Sequence, residues 1–173
     1  MAKAAAQKAP AIDTALLRNA GGQVQQAGGG RLDINATTLA GAGGKLLSNG
    51  ALQLKGQAID VSGGITSAVR MAIDAGQLDN RRGELIATGT DALALRVTNA
   101  LLNDNGQIIG NGALAVQAGS LANRDGKLLA AGEAASTLQV SGAIDNQRGT
   151  LASAGDLSLR AGQLDNQAGT VQA

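Results

Sequence analysis

Carboxylates are the side chains of this sequence whose type and spacing could support catalysis. The chain of 173 residues has no His and no Cys, which excludes imidazole general-base catalysis, Ser-His-Asp triads, disulfides and the common zinc sites. Four aspartates follow the apolar first residue of a repeated motif: Asp60, Asp79, Asp145 and Asp165. Because pairs of them fall on neighbouring repeats, they could form a two-carboxylate glycosidase site or a calcium site.

A structural role for these aspartates is favoured over catalysis. They belong to a unit that repeats, whereas a catalytic site is usually a single departure from a repeat. Sugar-processing enzymes built on stacked strands also use aromatic platforms, and this chain has no Phe, Tyr or Trp. The stretch NDNG at 103–106 lacks the alternating acidic ligands of an EF-hand loop and is interpreted as a turn. We therefore predict no enzyme, no catalytic residue, no metal site and no cofactor.

Arginines of the same motifs offer a second kind of chemistry, the binding of anionic sugars. The candidates for a weak glycan contact are Arg81, Arg82, Arg124 and Arg148. Neighbouring Glu84 and Asp125 dilute this basic strip, so a solvated face is the competing interpretation. The whole chain has 14 basic and 13 acidic residues, a balance that argues against nucleic acid or an anionic membrane as partner.

These residues lie in an internal repeat that determines the fold prediction. The segment LDNRRGELIATG (78–89) returns as LANRDGKLLAAG, IDNQRGTLASAG and LDNQAGTVQA. The pattern apolar-x-Asn-x-x-Gly begins at Leu17, Leu39, Ile59, Leu78, Leu101, Leu121, Ile144 and Leu164, with a mean spacing of about 21 residues. Each unit adds a pair of apolar residues two apart, which is strand spacing: Leu32/Ile34, Leu52/Leu54, Leu93/Leu95, Leu114/Val116, Leu138/Val140 and Leu157/Leu159. We predict two or three short strands per unit, separated by corners that contain glycine.

The Asn-x-x-Gly segment is predicted to be a type I turn, with Asn first, Gly last and the variable middle pair facing water. The turn glycines are Gly83, Gly106, Gly126, Gly149 and Gly169. The turn asparagines share one position of the repeat and could form a hydrogen-bonded ladder between units: Asn80, Asn103, Asn123, Asn146 and Asn166. Gly41 and Val61 replace Asn in two earlier units.

A unit of about 21 residues cannot bury its apolar face alone, so the units must stack. The predicted fold is an all-β parallel β-helix of about eight coils spanning residues 17–173. Residues 1–16 form an Ala-rich segment interpreted as a leader, a cap or a remnant. A leucine-rich repeat is disfavoured because its strand signature, LALRVTNAL at 93–101, occurs once. The spacing fits left-handed hexapeptide helices poorly, and the calcium-binding nonapeptide is absent.

The units LDNRRGELIATG, LANRDGKLLAAG and IDNQRGTLASAGDLSLRAGQLDNQAGT resemble the repeats of filamentous haemagglutinin and its relatives. These relatives are large exoproteins of Gram-negative bacteria and include contact-dependent inhibition proteins. The resemblance covers residues 17–173. It implies a right-handed β-helical shaft, secreted across the outer membrane by a two-partner secretion transporter and displayed at the cell surface or released as an adhesin or virulence factor.

The function expected from this resemblance is that of a structural shaft segment supporting attachment to host or neighbouring cells. The alternative is that the repeat surface itself binds glycans or a host-cell receptor. Membrane insertion is not expected, since no stretch approaches the roughly 18 apolar residues of a membrane span and no signal peptide is visible. Open strand edges at the ends of the solenoid could support end-to-end self-association.

Overall fold

The computed structural model describes residues 10–173, whose regular structure consists of β-strands only. The strands are β1 (Ala11–Arg18), β2 (Gln23–Gln26), β3 (Arg31–Ala40), β4 (Lys45–Asp60), β5 (Ile65–Asp79), β6 (Glu84–Ala87), β7 (Leu93–Leu102), β8 (Gln107–Gly110), β9 (Leu114–Ala122), β10 (Lys127–Ala130), β11 (Ser136–Asp145), β12 (Thr150–Ser153), β13 (Leu157–Asp165) and β14 (Thr170–Gln172).

Each strand pairs in parallel with its copies in the adjacent coils, and the described strands of the first and last coils pair on one side only. Strand β7, for example, lies between β5 and β9, with Leu95 opposite Ile73 on one side and Val116 on the other. The short strands β6, β8, β10, β12 and β14 stack in the same way on a second face. The chain thus winds into a parallel β-solenoid of about eight coils with a period of about 21 residues. This arrangement confirms the predicted fold class.

The long strands are bent, which divides each coil into three short segments. In β7 and β9 the pairing register shifts between Val97 and Ala100, and in β11 and β13 it shifts between Val140 and Ala143. Strands β4 and β5 continue around a further corner, so each contributes to both the long and the short faces. Because successive copies bend at the same place, the corners stack as regularly as the strands do.

The interior consists of aliphatic columns that run the length of the solenoid. Side chains alternate inward and outward along each strand, and the predicted pairs from Leu32/Ile34 to Leu138/Val140 are buried. The predicted alignment of the pair Leu138/Val140 was wrong by two residues, because Leu138 lies opposite Val116 and Val140 lies opposite Ala118. Leu157 and Leu159 are half-buried because they belong to the last coil, which has a neighbour on one side. The core is narrow enough to be filled without aromatic rings.

The solenoid begins earlier than the predicted boundary at residue 17. Strand β1 starts at Ala11 and pairs with β3 in the same register as later coils, with Ile12 opposite Ile34. Ile12 and Leu17 pack against the core cluster, so the strand alternation already operates inside the Ala-rich segment. The first nine positions of that segment lie outside the described residues.

Candidate functional site

The Asn-x-x-Gly turns stack in one column along an edge of the solenoid. The backbone N–H of Gly83 donates to the carbonyl of Asn80 at 3.0 Å, and the four later turns close in the same way. The turn glycine is required by close approach: a Cβ on Gly106 would lie 2.2 Å from the carbonyl oxygen of Asn80 in the preceding coil. Adjacent coils therefore touch backbone to backbone at this corner.

The turns are not type I, which corrects the sequence prediction. The third residue of the turn has a positive φ in every coil: Gly21 (62°), Gly43 (67°), Gly63 (60°), Arg82 (57°), Asn105 (56°), Asp125 (54°), Arg148 (56°) and Ala168 (53°). A positive φ at this position is characteristic of a type II turn, whereas type I has a negative one. Hydrogen bonds between coils hold this conformation, since the N–H of Arg82 donates to the carbonyl of Asp104 at 3.1 Å.

The five predicted turn asparagines form a continuous ladder of side-chain amides. The Nδ2 of each of the first four donates to the Oδ1 of the asparagine in the next coil, at 2.8 Å from Asn80 to Asn103, 2.7 Å from Asn103 to Asn123, 2.7 Å from Asn123 to Asn146 and 2.6 Å from Asn146 to Asn166. The same Nδ2 atoms also donate to backbone carbonyls of their own turn and of the next coil. The first four asparagines are fully buried, so the ladder supplies the hydrogen bonds that buried amides need.

The ladder stops where the sequence interrupts it. Asn19 occupies the same position in the first coil, but Gly41 and Val61 fill it in the next two, so Asn19 donates instead to the backbone carbonyl of Lys45 at 3.2 Å. Facing Val61, the buried Oδ1 of Asn80 has no hydrogen-bond donor among residues 10–173. Asn19 fits the apolar-x-Asn pattern and could have been included in the predicted ladder position.

The unsatisfied oxygen of Asn80 leads to a prediction about Val61, which is buried. Val61→Asn should destabilise the protein less than Val61→Asp, because the new amide would donate to Asn80 Oδ1, although its own Oδ1 would face Gly41 without a donor. The control Val61→Asp offers acceptors only and should lower the free energy of unfolding. Urea denaturation followed by circular dichroism measures both. Equal destabilisation by the two substitutions would contradict this account of the gap.

The aspartates considered for catalysis hold the turns. The Oδ1 of each aspartate accepts a hydrogen bond from the backbone N–H of the residue two positions later in the chain. This is the geometry of an Asx-turn. The bonds join Asp60 to Ser62 (2.9 Å), Asp79 to Arg81 (3.0 Å), Asp145 to Gln147 (3.2 Å) and Asp165 to Gln167 (3.2 Å). Within residues 10–173, no group of three or more Asp or Glu side chains is placed to hold a metal ion. Asp60 lies opposite Asp79 and Asp145 lies opposite Asp165 on neighbouring coils, and each of these carboxylates caps its own turn.

Three of the four turn arginines are in ion pairs with these carboxylates or their neighbours. Arg81 Nη2 lies 2.6 Å from Asp79 Oδ2, Arg148 Nη2 lies 2.8 Å from Asp125 Oδ2, and Arg124 pairs with Asp145 in the following coil. Arg82 has no ion-pair partner within 4.0 Å in the part of the chain that the structure describes. The predicted basic strip therefore carries its own counter-charges.

The pKa of Asp79 is lowered by its surroundings. Burial raises this pKa, but the hydrogen bonds from the side chain and backbone of Arg81 and the charge of the guanidinium together outweigh it. The carboxylate is thus held in its ionised form by the turn that it caps. The pKa of Arg81 is correspondingly raised by its hydrogen bonds to Asp79.

The lowered pKa of Asp79 predicts how the stability of the folded protein depends on pH. A carboxyl group with a lowered folded pKa contributes stability that is present above its ordinary value of 3.8 and lost as pH falls through the folded value. From pH 5 to pH 2 the thermal midpoint of the wild type should therefore fall more than that of Asp79→Asn. Differential scanning calorimetry across this range measures the difference, and parallel curves would contradict a stabilising Asp79–Arg81 pair.

A shallow groove follows the outer face of the long strands, and none of its lining residues was among the predicted binding residues. Arg96, Gln117, Gln139 and Arg160 line it, one residue from each of four successive coils. Neither arginine has an ion-pair partner within 4.0 Å among the described residues. In the sequence these four residues share one feature, a position directly after an inward apolar residue of the same column: Leu95, Val116, Leu138 and Leu159.

The stacked coils, the aliphatic columns and the asparagine ladder define a parallel β-solenoid built on a turn repeat. The family model for the haemagglutinin repeat matches residues 27–103, 92–137 and 133–173. The chain therefore belongs to the haemagglutinin repeat family, as the resemblance in its sequence indicated. Comparison with curated proteins and with solved structures gave no match.

Members of this family are typically secreted or surface-exposed bacterial proteins of a structural or adhesive type, and it is not a known enzyme family. In the described part of the chain, no helix is long and apolar enough to cross a membrane.

Proposed function

We propose that this chain is a segment of the shaft of a large bacterial adhesin of the filamentous haemagglutinin type, displayed at the cell surface or secreted. The observation that carries the proposal is the continuity of the solenoid. The longest connections between strands, 88–92 and 131–135, are short, so no inserted domain interrupts the stack between residues 10 and 173. A shaft of this kind keeps a binding region at a fixed distance from the cell surface.

The stack resists bending and unwinding through three sets of parallel interactions. Backbone hydrogen bonds join each strand to its copy in the next coil, and aliphatic columns fill the interior. The asparagine ladder links successive coils by side-chain hydrogen bonds at one edge. Each coil depends mainly on its two neighbours, so length can be added by repetition. We further propose that the parent protein crosses the outer membrane through a two-partner secretion transporter, which would receive an unfolded chain that folds coil by coil outside.

The shaft role is tested by shape and by attachment. Small-angle X-ray scattering of the purified chain should show a rod of roughly 40 Å, from eight coils about 4.8 Å apart. Cells displaying the parent protein should lose attachment when this segment is replaced by an unfolded linker, and regain it with an unrelated β-solenoid of equal length. Loss of attachment with both replacements would show that the segment binds directly.

A second candidate function is glycan binding by the shaft, and the outer groove favours it. Arg96 and Arg160 lie in this groove without ion-pair partners, whereas Arg81, Arg124 and Arg148 are paired. Retention on heparin resin should then fall with Arg96→Gln plus Arg160→Gln and stay unchanged with Arg81→Gln. Absence of retention from a folded chain at low salt would leave the spacer role alone.

A further inference from the structure

The short strands form a regular face on one side of the solenoid. This short-strand face consists of residues 45–48 of β4, residues 65–68 of β5, and strands β6, β8, β10, β12 and β14. From β6 to β12 the strands pair without a shift in register. Because side chains alternate along a strand, each short strand contributes one side chain to each of two outward columns.

One of these outward columns is apolar at its centre. In the register of the strands it runs Leu47, Ser67, Ile86, Ile109, Leu129, Ala152. Ile86, Ile109 and Leu129 follow one another without interruption, and they are half-buried although they lie on the outside of the solenoid. An outward row of large aliphatic side chains gains free energy when a second apolar surface covers it.

The second outward column carries opposite charges on the two sides of β8. It runs Lys45, Ile65, Glu84, Gln107, Lys127, Thr150. Gln107 in β8 thus lies between Glu84 one coil before it and Lys127 one coil after it. Neither Glu84 nor Lys127 has an ion-pair partner within 4.0 Å among residues 10–173.

A second copy of the chain matches this face when it is placed antiparallel. A two-fold axis parallel to β8, lying between the two copies at the level of that strand, reverses the order of the coils and keeps each column opposite itself. Ile109 then meets Ile109 of the second copy, and Ile86 meets Leu129. In the other column Glu84 meets Lys127. Each unlike pair occurs twice, so the contact makes two ion pairs beside a continuous apolar strip.

The turns that border the face have the same charge pattern with the signs reversed. Arg82, Asn105 and Asp125 occupy the third turn position in the three coils of β6, β8 and β10. The antiparallel arrangement therefore also sets Arg82, which has no ion-pair partner in the described part of the chain, against Asp125. Asp125 already pairs with Arg148, so it would be shared between two arginines.

Other arrangements match the charges less well. A parallel arrangement sets the charged column on the apolar column, which removes Glu84 and Lys127 from water without a counter-charge. A shift of the antiparallel copies by one coil sets both residues against neutral side chains. A register centred on β5 would pair Glu84 with Lys45, but it sets Ile109 against Gln25.

We propose that two copies of this chain associate side by side and antiparallel through the short-strand face. Four-residue strands and seven coils give roughly 450 Å² per copy, below the roughly 800 Å² of a standard interface, so association of this chain alone is weak. Antiparallel pairing would join shafts that project from two facing cells, a consequence that rests on the proposed shaft function.

Sedimentation equilibrium of the full chain tests the proposal, at concentrations up to about 1 mM because a small interface associates weakly. Wild type should show an equilibrium between monomer and dimer. Glu84→Lys alone and Lys127→Glu alone should each weaken dimerisation by about tenfold, because like charges then meet twice in every dimer. An equimolar mixture of the two variants should dimerise as wild type does, since each copy then supplies the charges that the other needs.

Lys45→Glu is the matched control for Lys127→Glu. It makes the same change of charge in the same column, but in the proposed register Lys45 meets the neutral Thr170. Dimerisation should therefore stay unchanged. Thermal midpoints of all three variants should equal that of wild type, because the substituted side chains lie on the outer face.

Cysteine cross-linking reports the register directly, because the chain has no Cys of its own. A short bismaleimide should cross-link Ile109→Cys to its own copy. In a mixture it should join Ile86→Cys to Leu129→Cys, whereas neither of these two variants alone should cross-link to itself.

A chain that stays monomeric, dimerisation that ignores both charge reversals, or cross-linking of Ile86→Cys to itself overturns the proposal. Weaker dimerisation of Lys45→Glu would favour the register centred on β5 and overturns it as well. These results leave the shaft role intact, since that role is judged by rod shape and attachment.

Discussion

Leu95→Asp is expected to destabilise the solenoid by about 4 kcal/mol or more. Leu95 is fully buried in the aliphatic column, with Ile73 below it and Val116 above it. The substitution removes apolar contacts and places a carboxylate where no donor or counter-ion is available, and each of these effects costs several kcal/mol. Urea denaturation monitored by circular dichroism should show the loss as a lower midpoint.

A substitution in the neighbouring column of outward-facing residues provides the matched control for Leu95→Asp. Gln117→Asp introduces the same charge on an exposed side chain beside Arg96 and should change the free energy of unfolding by less than about 0.5 kcal/mol. Leu159→Asp should have a smaller effect than Leu95→Asp, because Leu159 is half-buried in the last coil. Equal effects at Leu95 and Gln117 would mean that the assigned inward and outward faces are wrong.

Asn123→Leu is expected to lower stability by about 3 kcal/mol. Asn123 is the central residue of the ladder and is fully buried. Its removal takes the donor from Asn146 Oδ1 and the acceptor from Asn103 Nδ2, and unsatisfied buried polar groups cost about 1–3 kcal/mol each. Asn103 keeps its bonds to two backbone carbonyls, which limits the loss on that side.

A substitution at the end of the ladder provides the comparison for Asn123→Leu. Asn166→Leu, at the last coil, leaves only Asn146 Nδ2 without its side-chain acceptor, so its cost should be roughly half that of Asn123→Leu. Hydrogen exchange should show faster opening of the coils on both sides of Asn123 in the central variant. Equal costs at the two positions would indicate that the asparagines act singly in their own turns rather than as a ladder.

The fold could be predicted because its determinants are periodic. The spacing of Leu93 and Leu95, repeated in most coils, defines which face of each strand is buried, and the interval between repeats defines the stacking register. The asparagine column follows from the same register, whereas the burial of Asn103 and Asn123 and the hydrogen bond between their amides are seen only in the structure. The beginning of the array was missed because β1 lacks the pair of apolar residues two apart that marks most other coils.

The turn geometry and the state of the arginines could not be predicted from the repeat. Asn and Gly at the ends of a turn are compatible with types I and II, and the positive φ of Arg82 is imposed by hydrogen bonding to the next coil. The pairing of Arg124 with Asp145 crosses between coils at different turn positions. Such contacts depend on side-chain reach and corner geometry, which a sequence period does not contain.

The asparagine ladder is electrically polarised along the axis of the solenoid. Its amide dipoles are aligned, with the negative oxygen at Asn80 and the positive N–H at Asn166. Aligned hydrogen bonds in a medium of low dielectric constant strengthen one another, so each added asparagine benefits those already in the column. A longer uninterrupted column of asparagines therefore contributes more stability per coil than a short one. In this chain the column begins directly after Val61, at Asn80.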